Sequence, residues 1–240
     1  TDVDPDDPNR LILVYDRVSL DVSDLISSPG IPGWDSGASW NREHTWPRSR
    51  GVNSSGADNS DLHQLRPSDQ GINSSRSNLN FGGEYGQSFG RVTAGGATVW
   101  YPGDEDAGMI ARQQFYMAVR YDGSDPSTED LELASGTPAS SVGLGNLDRL
   151  IEWHYAAVPD DFERRRNDVI YDDYQGNRNP FVDRPEYVWS VFVDQANDSQ
   201  ISLASGSTDG AGGSSLSLAL GAVFVGGAGP ATEAVTLNKL

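Results

Sequence analysis

Trp40-Asn-Arg-Glu-His-Thr-Trp-Pro-Arg-Ser49, followed by Asp61-Leu-His-Gln-Leu-Arg-Pro67 and Ile72-Asn-Ser-Ser-Arg-Ser-Asn78, is the part of the chain that decides its reading. From Trp40 to Asn80 the residues are polar, with several Arg, two His and many Asn and Ser, and helical periodicity is weak before Asp69. The segment reads as strand, loop, strand and then a helix beginning near Asp69 to Asn73. One geometric condition applies. Neighbours on a regular strand point to opposite faces, so Glu43 and His44 converge on one ligand only if the strand ends or bulges there. The loop-forming flanks, Pro47 among them, allow it.

The residue types in these segments meet the demands of phosphodiester hydrolysis. That reaction needs a base for water, a cation for the charge on phosphorus and the leaving oxygen, and donors that orient the phosphate. Histidine suits the base, since its unperturbed pKa of about 6.5 lies near working pH. Magnesium takes oxygen ligands and keeps several waters, so Glu43 and an Asn amide oxygen suffice. Arginine suits the phosphate through its planar fork. A Glu-His dipeptide taken alone is a weak signal.

Outward from this centre, Leu11-Ile-Leu-Val-Tyr15 reads as a buried strand, and residues 27–39 as a Gly/Pro/Ser loop. Asp2, Asp4 and Asp6 alternate like the start of a calcium loop, but the sixth position is Asp7 rather than Gly and the twelfth is Leu13 rather than Glu. Gly108 to Tyr121 reads as a helix with Ile110, Met117 and Tyr121 on one face. Leu144, Leu147, Ile151, His154 and Val158 recur at helical spacing. Asp160-Asp161 can cap a helix running towards Tyr174, and Asp183-Arg-Pro-Glu186 has capping-box spacing before Val188, Val191 and Phe192. The expected organisation is a domain over 1–194, a Ser/Gly-rich linker over 195–215 and a β-rich tail over 216–240. That tail reads either as the start of a truncated immunoglobulin-like module or as a strand docked on the main domain.

Composition excludes several classes. The 240 residues contain no cysteine, so disulfides, thiolate metal sites and a Cys nucleophile are ruled out. No apolar run approaches the roughly twenty residues of a membrane span, and the N-terminus does not read as a signal peptide. The formal charge is −18, the wrong sign for holding nucleic acid by bulk electrostatics. Lys239 is the only lysine; every other basic residue is arginine. An acidic, lysine-poor surface fits a halophilic, salt-adapted protein and fits an ordinary acidic secreted protein equally. Because the arginines crowd 42–76 and 164–184, a basic groove on an acidic body is expected.

The three quoted segments together resemble the signature of the bacterial endonuclease I family, nucleases of the ββα-metal (His-Me finger) class. The likeness extends through Ile110-Ala-Arg112, Phe115-Tyr-Met117, Glu163-Arg-Arg-Arg166 and Gln175-Gly-Asn-Arg-Asn-Pro-Phe181, from about Asp4 to Val193. The resemblance implies an α+β fold, a finger core with further helices around a small mixed sheet and a Gly/Ser-rich C-terminal tail. It implies a secreted or periplasmic endonuclease that cleaves DNA, and often RNA, with little sequence preference. His44 takes the place of the general base, and Glu43 and Asn73 those of the ligands to Mg2+, with Mn2+ or Ca2+ as alternatives. Two departures are notable. Asn59 stands where some members carry an acidic residue. The long disulfide-bearing insertion whose arginine holds phosphate in some members is missing. Arg76 and Arg66 are the candidates for that role, with Arg42 and Arg178 behind them.

Other residues invite plainer readings. His63 reads as structural, and His154 as a core histidine. Arg164-Arg-Arg166 is either a nucleic-acid-facing patch or a solvated helix face. Asn73 begins an Asn-Ser-Ser sequon, so a metal role requires it to be unglycosylated. DNA and RNA are the expected partners of a monomer that needs no membrane. The competing classes are a finger that binds without cleaving, and an acidic, salt-dependent surface protein in which Glu43, His44 and Asn73 do not cluster.

Overall fold

The computed structural model of the protein describes residues 1–26, 32–52, 54–136, 138, 141–193, 201–203, 215–216 and 237–239. Strands β1 (Val3–Asp4), β2 (Asp7–Ile12) and β3 (Ser19–Asp21) form an antiparallel sheet in that order. β2 ends partway through the apolar run expected to be a strand. Leu13, Val14 and Tyr15 are buried, but they leave this sheet for the rest of the core. The Val14 N–H donates to the Pro67 carbonyl (2.8 Å), the Tyr15 N–H donates to the Asp106 carboxylate (2.9 Å), and Tyr15 adopts φ 81°. Burial won over strand pairing here.

Next come β4 (Trp40–His44), the short helix α1 (Ala57–Ser60), β5 (Leu65–Asp69) and α2 (Gln70–Arg76). The order expected over residues 40–80 is the order found. β4 and β5 pair antiparallel in continuous register, with Trp40 opposite Asp69 and His44 opposite Leu65. The Asp69 carboxylate accepts from the Gly71 and Ile72 N–H groups (2.7 and 2.9 Å), which supplies the N-cap of α2. α2 packs against both strands.

A hairpin follows that the apolar pattern did not announce: β6 (Gly90–Ala94) and β7 (Ala97–Tyr101). Gly95 and Gly96 both take positive φ (57° and 78°), the requirement of a tight two-residue turn between twisted strands. The remaining elements are α3 (Asp104–Arg120), the parallel pair β8 (Leu133–Ala134) and β9 (Leu144–Gly145), α4 (Leu147–Ala156), α5 (Asp161–Val169) and α6 (Pro180–Asp183). A π-helical turn over Ile170–Gln175 extends α5 towards Tyr174, as the spacing predicts. Asp160 caps α5, accepting from the Glu163 N–H (2.7 Å).

α3 is the axis of the core. Its expected single apolar face widens to the whole circumference, since every residue from Asp106 to Met117 is buried. α4 and α6 both pack on it. Gly108 permits the close approach of the end of α4, because a Cβ there would lie 2.8 Å from the Ala157 carbonyl oxygen. Three acidic residues in the first turn of α3 complement the helix dipole.

Two expectations are corrected. A helical stretch does follow the Asp183–Glu186 segment, at residues 187–193, but Asp183 does not cap it. Asp183 is the last residue of α6, and its carboxylate is taken by Arg178 (2.7 Å) and Asn167 (3.1 Å), so it is not free to cap. The strands also form several two- and three-stranded sheets rather than one mixed sheet, so the α+β class stands while the sheet is divided.

The chain divides into two units, Thr1–Pro185 and Glu186–Leu240. The second contains a π-helical turn over Trp189–Val193 and three short antiparallel strands, β10 (Ile201–Leu203), β11 (Ser215–Leu216) and β12 (Leu237–Lys239). Beyond these strands, the linker over 195–215 and the tail over 216–240 lie outside the described residues. No helix among the described residues is long and apolar enough to cross a membrane.

Candidate active site

Glu43, His44 and Asn73 line one cleft of about 750 Å³. His44 is the last residue of β4, still paired with Leu65, and both its side chain and that of Glu43 line the cleft. Glu43 turns inward and is 2% exposed, while His44 is half-buried. Asn73 comes from the middle of α2, and its amide nitrogen donates to Asn41 Oδ1 (2.6 Å) and the Arg42 carbonyl (3.3 Å). With the nitrogen so tied, the amide is oriented and its oxygen remains available as a ligand.

The Glu43 carboxylate is held from below. Tyr15 Oη donates to Oε1 (2.8 Å), and the Arg76 guanidinium lies 3.5 Å from the same oxygen. Burial raises its pKa, and Arg76 and Tyr15 oppose that rise. Tyr15 is itself fixed by Asp106 on α3, so the central helix sets the height of this carboxylate.

His44 is oriented by a backbone group that the sequence did not single out. Its Nε2 lies 3.0 Å from the Asn59 carbonyl. A carbonyl only accepts, so Nε2 carries the proton in the neutral ring and Nδ1 keeps its lone pair. Burial lowers the His44 pKa, and Arg48 and Arg42 add to that while the Asn59 carbonyl opposes it. The neutral, proton-accepting form is therefore favoured.

The Asp61-Leu-His motif explains why Asn59 is where it is. Asp61 Oδ2 accepts from the Tyr116 and Tyr121 hydroxyls (both 2.8 Å), and Oδ1 from the His63 N–H (2.9 Å) and Gln175 Nε2 (3.1 Å). His63 is buried against the Tyr116 ring, with Nε2 3.2 Å from the Asn177 carbonyl. These bonds clamp the α1–β5 connection onto α3. His154 is buried between the Phe115 and Tyr155 rings, with Nε2 2.9 Å from the Pro185 carbonyl.

The arginines separate by burial. Arg66 is 1% exposed and bonds Asp2, with Asp106 3.8 Å away. It lies among core carboxylates rather than on the cleft wall, away from the phosphate-holding place expected of it. Arg76 is also fully buried. It donates to the Thr45 (2.6 Å), Ser77 (3.2 Å) and His44 (3.3 Å) carbonyls and stacks on Phe81 at 4.6 Å, so it supports Glu43 and the end of β4 from inside. Arg178 is bound to Asp168 and Asp183. Of Arg164-Arg-Arg166, Arg164 is exposed, Arg165 is half-buried and donates to the Val3 carbonyl, and Arg166 is buried, bonding Asp2 and the Leu62 and Leu65 carbonyls. The cationic side chains that line the cleft are Arg42 and Arg48, both exposed. Arg48 sits in the quoted Trp46-Pro-Arg segment but nothing in the spacing marked it. Among the described residues Glu43 is the only carboxylate lining the cleft, so these side chains make it locally positive on a chain of net charge −18.

The donor set fits a hard divalent cation. Among the described residues no three His, Asp or Glu side chains converge to cage a metal. Magnesium does not demand such a cage, since one carboxylate and one amide oxygen beside water are enough.

A strand pair followed by a helix, presenting an oriented imidazole, a buried carboxylate and a fixed amide in a positive cleft, suits acid–base chemistry on an oxyanion. The chain belongs to the Endonuclease I family, whose model matches residues 6–186. It is 42% identical over 197 residues to an extracellular ribonuclease of Bacillus amyloliquefaciens, covering 80% of this chain and 64% of that one. It is 42% identical over 197 residues to an extracellular ribonuclease of Bacillus subtilis (strain 168), covering 80% and 65%. The chain thus spans less than two thirds of the length of these relatives.

Proposed function

We propose that the protein is a secreted, metal-dependent endonuclease that hydrolyses phosphodiester bonds of RNA and DNA without sequence preference, working as a monomer. The observation that carries this reading is the meeting of Glu43, His44 and Asn73 in one cleft with His44 Nε2 held by the Asn59 carbonyl. The β4–β5–α2 arrangement supports a His-Me finger core. The names of the family and of its two Bacillus relatives support nuclease activity and export.

In this reading His44 Nδ1 takes a proton from the attacking water. Arg42 and Arg48 hold the substrate phosphate. Arg76 and Tyr15 keep the Glu43 carboxylate in place, so Arg76 acts through Glu43 and not on substrate. Tyr15 and Arg76 both engage Oε1, which leaves Oε2 for a cation. Glu43 and the Asn73 amide oxygen would hold Mg2+, which supplies charge stabilisation at the phosphorane and the departing 3′-oxygen. A cation there would also offset the burial of Glu43. The product carries a 5′-phosphate.

The test incubates supercoiled plasmid and RNA with the protein in Mg2+, in EDTA, and with His44→Ala. Loss of cleavage in EDTA and a fall of about 10²–10⁴ in rate for His44→Ala are expected. Equal degradation in every tube overturns the proposal.

A further inference from the structure

One wall of the cleft is aromatic, and hydrolysis at Glu43 and His44 makes no use of it. Trp34 lines the cleft beside Arg42. Its indole packs edge-on against Trp40, with centroids 4.8 Å apart and planes at 78°, and the Arg42 guanidinium carbon lies 5.8 Å from its ring centre. Trp40 begins β4, and its Nε1 donates to the Gly33 carbonyl (3.0 Å), which ties the root of the Trp34 loop to the strand carrying Glu43 and His44. The loop is braced from within. The Asp35 carboxylate accepts from the Ala38 N–H (3.0 Å) and from the Ser39 N–H and hydroxyl (2.8 and 2.5 Å). Gly37 (φ 88°) turns the chain back under Trp34, a conformation that disfavours any residue with a side chain. A large, half-exposed ring is therefore held at a fixed place in a cationic cleft, and a core role does not explain it.

An aromatic face beside a guanidinium matches one nucleotide, the ring for a base and the fork for its phosphate. In a duplex the base faces are already stacked on each other, so only an unpaired base can offer its face to an indole. We infer that Trp34 and Arg42 form a nucleotide subsite that stacks an unpaired base and holds the adjoining phosphate, so that the cleft favours single-stranded RNA and DNA over duplex. This deepens the nuclease reading above and rests on it. Binding is expected to exchange the Arg42–Trp34 contact for an Arg42–phosphate bond while the base takes the indole.

The experiment measures binding by fluorescence anisotropy on a His44→Ala background, using a labelled single-stranded RNA, a single-stranded DNA and a blunt DNA duplex of equal length. Adding Trp34→Ala should weaken both single strands roughly 5- to 100-fold and leave the duplex within about twofold. Trp34→Phe and Trp34→Tyr should restore most of the affinity, whereas Trp34→Leu, apolar but without a π-face, should not. All variants are compared at matched thermal unfolding midpoints. Unchanged affinity in Trp34→Ala, or an equal loss on single strands and duplex, overturns the subsite. Cation-dependent cleavage by the wild-type chain then still stands as a separate result. Conversely, Trp34-dependent binding without any cleavage by wild type overturns the nuclease reading and leaves the subsite.

Discussion

Replacing Arg66 by methionine removes a guanidinium that is 1% exposed and leaves most of its volume filled. In the native protein its Nε bonds Asp2, its Nη1 lies 3.8 Å from Asp106, and its guanidinium lies 5.7 Å from the Phe162 ring centre. Asp2 and Asp106 are 2% and 0% exposed, so neither can turn to water. Breaking a buried pair on one side costs about 3–5 kcal/mol, because the remaining carboxylates lose compensation. Asp2 keeps Arg166 (3.1 Å) and Asp106 keeps Arg17 (3.1 Å), so the lower end of that range is expected. Burial acts to raise the Asp2 pKa, but Arg166 and Arg66 outweigh it and hold the carboxyl well below the usual range. A folded-state pKa below the unfolded one supplies stability above about pH 4 that is lost as pH falls. Arg66→Met should therefore shrink that acid-side loss as well as the total. Urea denaturation at pH 7 and at about pH 2, read by tryptophan fluorescence, measures both. The turnover of the folded fraction should stay within about threefold of wild type, since Arg66 touches no part of the cleft. Unchanged stability with turnover down a hundredfold would show that Arg66 serves the phosphate and refute the reasoning.

Arg42→Ala should raise KM and flatten the loss of activity with salt, since one phosphate contact fewer releases fewer counterions, while leaving stability within about 0.5 kcal/mol, as expected of an exposed side chain, whereas Arg76→Met should destabilise by about 3–5 kcal/mol; paired kinetics and denaturation separate them. Asn73→Ala and Glu43→Gln should each raise the Mg2+ concentration needed for half-maximal cleavage, read in EDTA-stripped protein titrated with metal. Burial first, and Arg112 next, hold His154 at about 4 against 6.5 when unfolded, so stability should fall as pH drops from 6.5 to 4 by up to about 3 kcal/mol; a denaturation series that is flat across that window excludes it. If the lysine-poor, acidic composition is a salt adaptation, cleavage should persist or rise in molar NaCl, and a monotonic decline from low salt disposes of that idea.

The local order of the site was legible in one dimension. Asp69 ahead of a polar helix, an apolar-poor strand on either side of a loop, and His44 beside Glu43 are short-range facts. Strand pairing, N-caps and helix starts answer to neighbours a few residues away, and so does the end of β4 beyond His44. The helical spacing of α3, α4 and α5 is local in the same sense, as is the absence of cysteine. Which arginine faces solvent is not local. Arg42, Arg66 and Arg76 are one letter in the sequence, yet Arg66 meets Asp2 and Asp106, Arg76 meets Glu43 and three carbonyls, and only Arg42 reaches the cleft. Those partners lie up to 64 positions away, at Asp2 for Arg66, and burial is a property of the assembled core. The same holds for the Asn59 carbonyl on His44, which no side-chain motif can announce because every residue carries a carbonyl. Tyr15 on Glu43 and Trp34 on the cleft wall likewise became visible only when distant segments packed. Sequence determined the chemical types and their local frames; the tertiary structure decided their partners, because desolvation and pairing depend on what surrounds a side chain and not on what precedes it.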